Sequence, residues 1–286
     1  MERNEGKACD AAIRRIEARE GALRTDPHDP EEEGHPAPVD FSCTIAGQLC
    51  AFEHTVIEPF ELHFKIDAKA GIHFDRIRLK VEPLLPKTEH FVLHLPVKAM
   101  LPFKGRELTE VQDVISAWIA EIAPTLPGAR LDRYVIDTRY QKIPELPFEV
   151  ALHRVSIGGP PGQLSIVHLV DRDMEAKRAD RIRQAYQKKA GKLAVWRELG
   201  ARTVLILEIC DIQLTNAQLV ANAVNEIEPS FDGVLPDEVY LFGSFIPAPW
   251  YLWTLRAGGQ GYYELSRSGN CMVEFDPKSL TDLTGR

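Results

Sequence analysis

Helix-like and strand-like patterns of apolar residues follow one another in the first part of the chain. Residues 8–24 carry apolar side chains at helical spacing, which predicts an amphipathic helix. Residues 39–57 form two short β-type runs around Ala46-Gly47, which predicts a β-hairpin. The polar segment Thr25–Pro38 between them contains four prolines and three consecutive glutamates, a composition typical of a loop or linker.

The last third of the chain predicts the order helix, strand, helix, strand. A long helix is expected from Met174 to Leu199, ended by Gly200, because glycine is a common residue after a helix C-terminus. A buried strand at 202–209, a helix from 215 or 216 to about 227 and a strand at 238–242 are expected to follow. Strands that alternate with helices favour an α/β core.

The middle of the chain has a different, β-rich pattern. We expect strands at 62–66, 72–81, 91–95 and 164–169, with one amphipathic helix at 107–122. This block interrupts the α/β pattern, so the prediction is one domain with an insertion. Residues 1–58 and 171–286 would form the core, and residues 59–170 would form an inserted α+β segment.

Composition narrows the class of protein. Hydrophobic residues make up 44% of the chain, enough for a substantial core, and no apolar run approaches the roughly 20 residues that a membrane span needs. No apolar stretch follows the charged N-terminus, and the five cysteines include no CxxC pair. We therefore expect a cytoplasmic protein with reduced thiols, without membrane contact. The net charge of −8 argues against a surface that coats nucleic acid throughout, but it permits a local basic groove.

Two acidic residues of the hairpin are the first candidate for chemistry. An even-numbered turn at Ala46-Gly47 would place Asp40 directly opposite Glu53 and Cys43 opposite Cys50. Carboxylates whose Cβ atoms are only about 5 Å apart repel each other unless one is protonated or a cation lies between them. Mg²⁺ binds such carboxylates together with water and phosphate oxygens. The alternative is that the two residues are unrelated acidic positions, one at the start of a strand and one facing solvent.

The order of elements around this pair resembles the PD-(D/E)XK, or restriction-endonuclease-like, nuclease superfamily. The resemblance rests on a helix, Pro38-Val39-Asp40 at the start of a hairpin, Glu53-His54-Thr55 on its second strand, a basic helix and a buried strand. It implies a central mixed sheet flanked by helices and the metal-dependent hydrolysis of phosphodiester bonds. By position, Asp40 and Glu53 would bind Mg²⁺ or Mn²⁺.

The chain departs from the family pattern at one position. The family has a lysine where this chain has Thr55, and that lysine helps to orient the attacking water. An acidic residue of the first helix also joins the site in some members, for which Glu17 and Glu20 are the candidates here. Glu208 and Asp211, in and after the buried strand, are secondary candidates.

The long basic helix offers a replacement for the missing lysine. Its apolar stripe consists of Ile182, Tyr186, Leu193 and Trp196. Lys188 or Lys192 would supply the catalytic charge, and nucleic acid would be bound by a basic flank made of Arg181, Lys188, Lys189 and Lys192. The alternative for this flank is an ordinary solvated helix face.

Two functions follow from these patterns. The first is a metal-dependent nuclease with DNA as the expected substrate. The second is a catalytically inactive module on the same fold that binds nucleic acid or a partner protein, with Thr55 marking the lost active site. Lysines close to Asp40 would favour the nuclease, and lysines far from it would favour the module.

Overall fold

A computed structural model describes residues 4–58, 62–126, 138–155, 161–169, 174–209, 216–244, 248–269 and 271–285. The chain forms two compact units, one made of residues 1–61 and 173–286 and the other of residues 62–172. The limits predicted for the inserted segment lie within three residues of this division. No helix among the described residues combines the length and the apolar character that crossing a membrane requires.

The elements are numbered along the whole chain. The first half contains α1 (Glu5–Glu20), β1 (Arg24–His28), β2 (Phe41–Ile45), β3 (Gln48–Val56), α2 (His63–Asp67), α3 (Ala70–Val81), β4 (His90–Pro96), α4 (Gly105–Ile122), β5 (Thr138–Lys142), β6 (Glu149–Val155) and β7 (Leu164–Leu169). The second half contains α5 (Met174–Glu198), β8 (Arg202–Ile209), α6 (Ala217–Ile227), β9 (Glu238–Gly243), β10 (Trp250–Ala257), β11 (Gln260–Gly261), α7 (Tyr262–Arg267) and β12 (Met272–Phe275).

The first unit is a mixed sheet with helices on both faces. Its strand order is β1-β2-β3-β8-β9-β10-β11, and β12 also pairs with β10. Strands β1 to β3 form an antiparallel meander, whereas β3, β8 and β9 are parallel. Side chains alternate across the sheet, so Phe52 and Ile206 pack with α1, whereas Ala51 and Leu205 pack with α5 and α6. The predicted α/β class with a helix-flanked mixed sheet is confirmed.

The turn between β2 and β3 sets the register of the hairpin. Ala46 and Gly47 have φ angles of 51° and 77°, and a two-residue turn with both φ angles positive suits the twist of a hairpin. Cys43 then pairs with Cys50, and the neighbouring pairs continue to Phe41 and Phe52. The predicted turn and register are confirmed.

The prediction of a loop for all of Thr25–Pro38 is wrong at its start. Residues 24–28 form β1, an exposed edge strand paired with β2. An edge strand is held by backbone hydrogen bonds to a single neighbouring strand, so it needs no apolar stripe. Pro27 is tolerated in such a strand because the open side has no neighbour that would need an N–H from it. Asp26 has a φ angle of 49° beside a shift in register, which marks a bulge.

The second unit is a four-stranded sheet covered by helices on one face. Its order is β5-β6-β4-β7, and Phe91 and Leu93 of β4 pack against α3 and α4. The strands expected at 91–95 and 164–169 and the helix expected at 107–122 are present.

Two strands predicted in the second unit are helices instead. Residues 63–67 and 70–81 form α2 and α3. In α3 the buried residues Phe74, Ile77 and Val81 follow helical spacing, whereas Ile72 and Leu79 are exposed. Those two exposed apolar side chains hide the helical spacing of the buried residues, so the sequence pattern favours a strand.

The elements from α5 to β9 agree closely with the helix, strand, helix, strand order that the sequence predicts. Helix α5 ends before Gly200, whose φ angle of 81° glycine adopts without strain. Strand β8 covers the predicted residues 202–209. The Asn216 side chain caps α6 by accepting a hydrogen bond of 3.0 Å from the Leu219 N–H.

Candidate active site

Asp40 is hydrogen-bonded to the two residues of β3 that flank Glu53. Its backbone N–H donates to the Phe52 carbonyl at 3.0 Å, and its Oδ2 accepts from the His54 N–H at 2.6 Å. Asp40 is 6% exposed, and two backbone groups of β3 fix its position. The two acidic residues that the hairpin register brings together are neighbours in the folded chain.

Glu53 is completely buried and lies between two lysines of α5. It points to the α5 side of the sheet, as Ala51 does two residues earlier. The Lys189 ammonium contacts Glu53 Oε2 and lies 3.3 Å from Asp40 Oδ2. Lys192 Nζ lies 3.0 Å from Glu53 Oε1. The formal charges of the two carboxylates and the two ammonium groups cancel.

Lys189 occupies a core position of α5. The buried residues Ile182, Tyr186, Leu193 and Trp196 and Lys189 itself are spaced alternately by four and three residues, which places all of them on one helix face. Lys189 is 8% exposed. The seven-residue gap in the apolar stripe between Tyr186 and Leu193 is therefore filled by a lysine, and that gap is the sequence signal from which the buried lysine could be found.

The structure separates the two lysines predicted to supply the catalytic charge. Lys192 contacts Glu53, whereas Lys188 is exposed, and it is the neighbouring Lys189 that contacts both carboxylates. Consecutive residues of a helix point about 100° apart, so Lys188 and Lys189 cannot face the same site.

The predicted nucleic-acid flank is divided by these contacts. Lys189 and Lys192 face the carboxylates, and Lys188 faces solvent. Arg181 is half-buried, and burial together with the nearby Arg178 lowers its pKa. One continuous exposed stripe of these four residues is therefore not present.

The two carboxyl groups have unequal affinities for protons. Burial and the Asp40 charge raise the pKa of Glu53 to about 7, although both lysines oppose the shift. Burial also disfavours the charged form of Asp40, but Lys189 and the His54 N–H outweigh it and hold the Asp40 pKa below its usual value. Asp40 is thus a fixed negative charge, and Glu53 exchanges its proton near neutral pH.

The acidic residues predicted to join from α1 lie at the wrong end of that helix. Glu17 accepts from Arg24 at 2.9 Å, and Glu20 accepts from Arg202, the first residue of β8. The opposite end of α1 is near the pair instead. Burial, Asp40, Glu5 and Glu53 all raise the pKa of the Cys9 thiol, so Glu5 is the acidic residue of α1 that shares the electrostatic surroundings of the site.

A buried polar network lies behind the pair, on the α1 face of the sheet. Glu208 Oε2 lies 2.8 Å from His54 Nε2, and Glu208 Oε1 accepts hydrogen bonds from Asn4 Nδ2 at 3.0 Å and from the Ser244 hydroxyl. These bonds outweigh burial and lower the Glu208 pKa. The network joins the start of α1 to the ends of β8 and β9, and it supports His54, whose N–H holds Asp40. Asp211 lies outside the described residues.

The residues fit a divalent metal ion only in part. Asp40 and Glu53 offer the carboxylate oxygens that Mg²⁺ and Mn²⁺ prefer, and the His54 N–H holds the Asp40 carboxylate in place. The region between them is taken by the Lys189 ammonium. Within the described ranges, no group of three or more His, Cys, Asp or Glu side chains could hold a metal ion. A metal here would need water or substrate oxygens to complete its coordination.

Comparisons with known proteins add no family assignment. No protein-family model matches the chain, and neither the search of curated proteins nor that of solved structures gave a match. The functional interpretation therefore rests on the residues and their geometry.

Proposed function

We propose that this protein is a metal-dependent nuclease in which Lys189 replaces the lysine that the family pattern has at Thr55. The observation that carries the proposal is the contact of one lysine ammonium with both Asp40 and Glu53. The pattern that the chain resembles has a lysine beside the two carboxylates, and Lys189 supplies one here, which supports the nuclease. DNA is the first substrate to test.

The arrangement of the first unit supports the resemblance on which the proposal rests. The unit has the order helix α1, hairpin β2–β3, basic helix α5 and buried strand β8. The last of these strands pairs parallel to the strand that carries Glu53. Asp40 immediately before β2 and Glu53 on β3 are the two positions that the resemblance assigns to metal ligands.

The chemistry is divided among four side chains. Asp40 and Glu53 would hold Mg²⁺ or Mn²⁺, which when bound would activate a water molecule and stabilise charge on a phosphate oxygen. Asp40 provides a permanent negative charge for this purpose. Glu53 would supply the second carboxylate, which a bound divalent ion would keep in the charged form. Lys189 and Lys192 would bind the phosphodiester oxygens and stabilise the charge that develops on them.

The second candidate is the inactive module that binds nucleic acid or a partner protein. It is kept because the two lysines neutralise the charge of both carboxylates, and such ion pairs are compatible with a purely structural role. The module and the nuclease differ in one measurable property, which is metal-dependent cleavage.

A cleavage assay on single- and double-stranded DNA and RNA with Mg²⁺ or Mn²⁺ tests the proposal. The variant Asp40→Asn keeps an oxygen that can accept the His54 N–H, so the fold should persist while the charge is lost. We expect it to reduce cleavage by at least about 100-fold. Asp180→Asn, at an exposed position of α5, is the matched control and should cleave at the wild-type rate. Binding of nucleic acid without cleavage by the wild type would instead establish the inactive module.

A further inference from the structure

We propose that Lys189 keeps the metal position closed in the free protein, and that a substrate phosphodiester opens it by drawing Lys189 and Lys192 away from the carboxylates. This inference rests on the proposed function and concerns the regulation of the same site. It predicts that metal and phosphodiester bind together and that neither binds well alone.

The first argument is steric and electrostatic. One ammonium group contacts an oxygen of Asp40 and an oxygen of Glu53. A divalent ion held by those same two oxygens would need the region that the Lys189 ammonium takes up. The two cations would then be in contact, and their repulsion in a buried site is severe. Metal binding between the carboxylates therefore requires Lys189 to leave.

The second argument is the balance of charge. Glu53 is fully buried, and Asp40 and Lys189 are each less than 10% exposed, so surplus charge in this cluster is costly. The free site is formally neutral, and a divalent ion alone would add two positive charges to it. A phosphodiester brings one negative charge, and its oxygens accept hydrogen bonds from the displaced ammonium groups. Substrate thus reduces the surplus to one positive charge and lowers the obstacle to metal binding.

The two lysines differ in their part in this closure. Lys189 contacts both carboxylates and is buried, whereas Lys192 contacts only Glu53 and its side chain is 36% exposed. Lys189 is therefore the main competitor of the metal, and Lys192 contributes less. Lys188, exposed on the neighbouring face of α5, provides a matched control of the same residue type.

Calorimetric titration of the metal-free, full-length protein with Mn²⁺ tests the inference directly. We expect Lys189→Gln to bind Mn²⁺ at least about 10-fold more tightly than the wild type, Lys192→Gln to show a smaller gain and Lys188→Gln to show none. Adding Asp40→Asn to Lys189→Gln should abolish the gain. Equal Mn²⁺ affinities of the wild type and Lys189→Gln would overturn the inference.

A second titration needs no variant and covers the case in which Lys189→Gln fails to fold. Mn²⁺ is titrated into the wild type with and without a phosphorothioate-linked thymidine dinucleotide. We expect the dinucleotide to raise the Mn²⁺ affinity at least about 10-fold, and Mn²⁺ to raise the dinucleotide affinity by the same factor. Identical affinities with and without the dinucleotide would refute the closure.

The outcomes separate this inference from the proposed function. Cleavage of nucleic acid by a wild type that binds Mn²⁺ equally well with and without the dinucleotide would retain the nuclease and reject the closure. Coupled binding of Mn²⁺ and dinucleotide, with no cleavage of any nucleic acid, would retain the closure and reject the nuclease.

Discussion

Replacing Lys189 with methionine should destabilise the first unit far more than replacing either neighbouring lysine. Methionine fills similar volume but leaves the buried carboxylates of Asp40 and Glu53 without their shared cation. Removing one partner of a buried ion pair costs about 3–5 kcal/mol. Lys192 is partly exposed, so its loss should cost about 1 kcal/mol or less, and the loss of exposed Lys188 should be within about 0.5 kcal/mol of zero.

The destabilisation by Lys189→Met should also depend on pH. The Glu53 pKa is already about 7 in the folded protein, above its usual value, and it should rise further without Lys189. Above about pH 4.5 the folded variant keeps a proton that the unfolded chain releases, so its stability falls with rising pH up to its own Glu53 pKa, above 7, whereas the wild type stops losing stability near pH 7. The free-energy difference from the wild type should therefore be smaller at pH 5.5 than at pH 8. Adding Glu53→Gln should recover part of the loss at pH 8.

Hydrogen–deuterium exchange in a urea gradient tests this prediction. Peptides from β3 and α5 report on the stability of the first unit alone. The free energy of opening of those peptides is compared among Lys189→Met, Lys192→Met, Lys188→Met and the wild type at both pH values. Equal stability of the Lys189 and Lys188 variants at pH 8 would refute the argument that Lys189 neutralises a buried acidic pair.

Two further predictions concern charged groups away from the site. Arg24 donates hydrogen bonds to Asp10 at 2.6 Å and to Glu17 at 2.9 Å. Arg24→Met should therefore lower the free energy of unfolding in urea by about 1–3 kcal/mol. An unchanged unfolding midpoint would contradict this. Burial and His153 lower the His94 pKa to about 4, so the second unit loses stability as the pH falls from 6.5 to 4. His94→Gln should reduce that loss of stability by about 1–2 kcal/mol, a figure that allows for the partial exposure of His94. Hydrogen–deuterium exchange of the second unit between pH 6.5 and 4 measures this. The same loss of stability in the variant and in the wild type would contradict it.

The parts of the fold that the sequence predicts well are those with local causes. The hairpin follows from Ala46-Gly47, whose positive φ angles fix the turn and with it the register of Cys43 and Cys50. Strand β1 escaped prediction because an exposed edge strand has no apolar stripe. Helix α3 was misread because Ile72 and Leu79 are apolar but exposed, which obscures the helical period.

The sequence predicts only those parts of the candidate site that lie within a single hairpin. The parts that depend on how a helix packs on the sheet are not predicted. Asp40 and Glu53 are brought together by the hairpin, so the sequence points to them directly. The choice between Lys188 and Lys189 depends on which face of α5 packs on the sheet, and the lysine within the apolar stripe was the available signal. Which end of α1 approaches the pair depends on the direction in which that helix crosses the sheet, which no local pattern of the sequence specifies.

The proposed function requires Asp40, Glu53 and Lys189 to act as a single phosphodiesterase centre. Moving the lysine tests this most directly, because Thr55 lies on β3 two residues after Glu53, on the same face of the strand. We expect Lys189→Gln to cleave nucleic acid at least about 100-fold more slowly than the wild type, and Lys189→Gln with Thr55→Lys to recover at least about 10-fold. Cleavage by Lys189→Gln at the wild-type rate would contradict the claim.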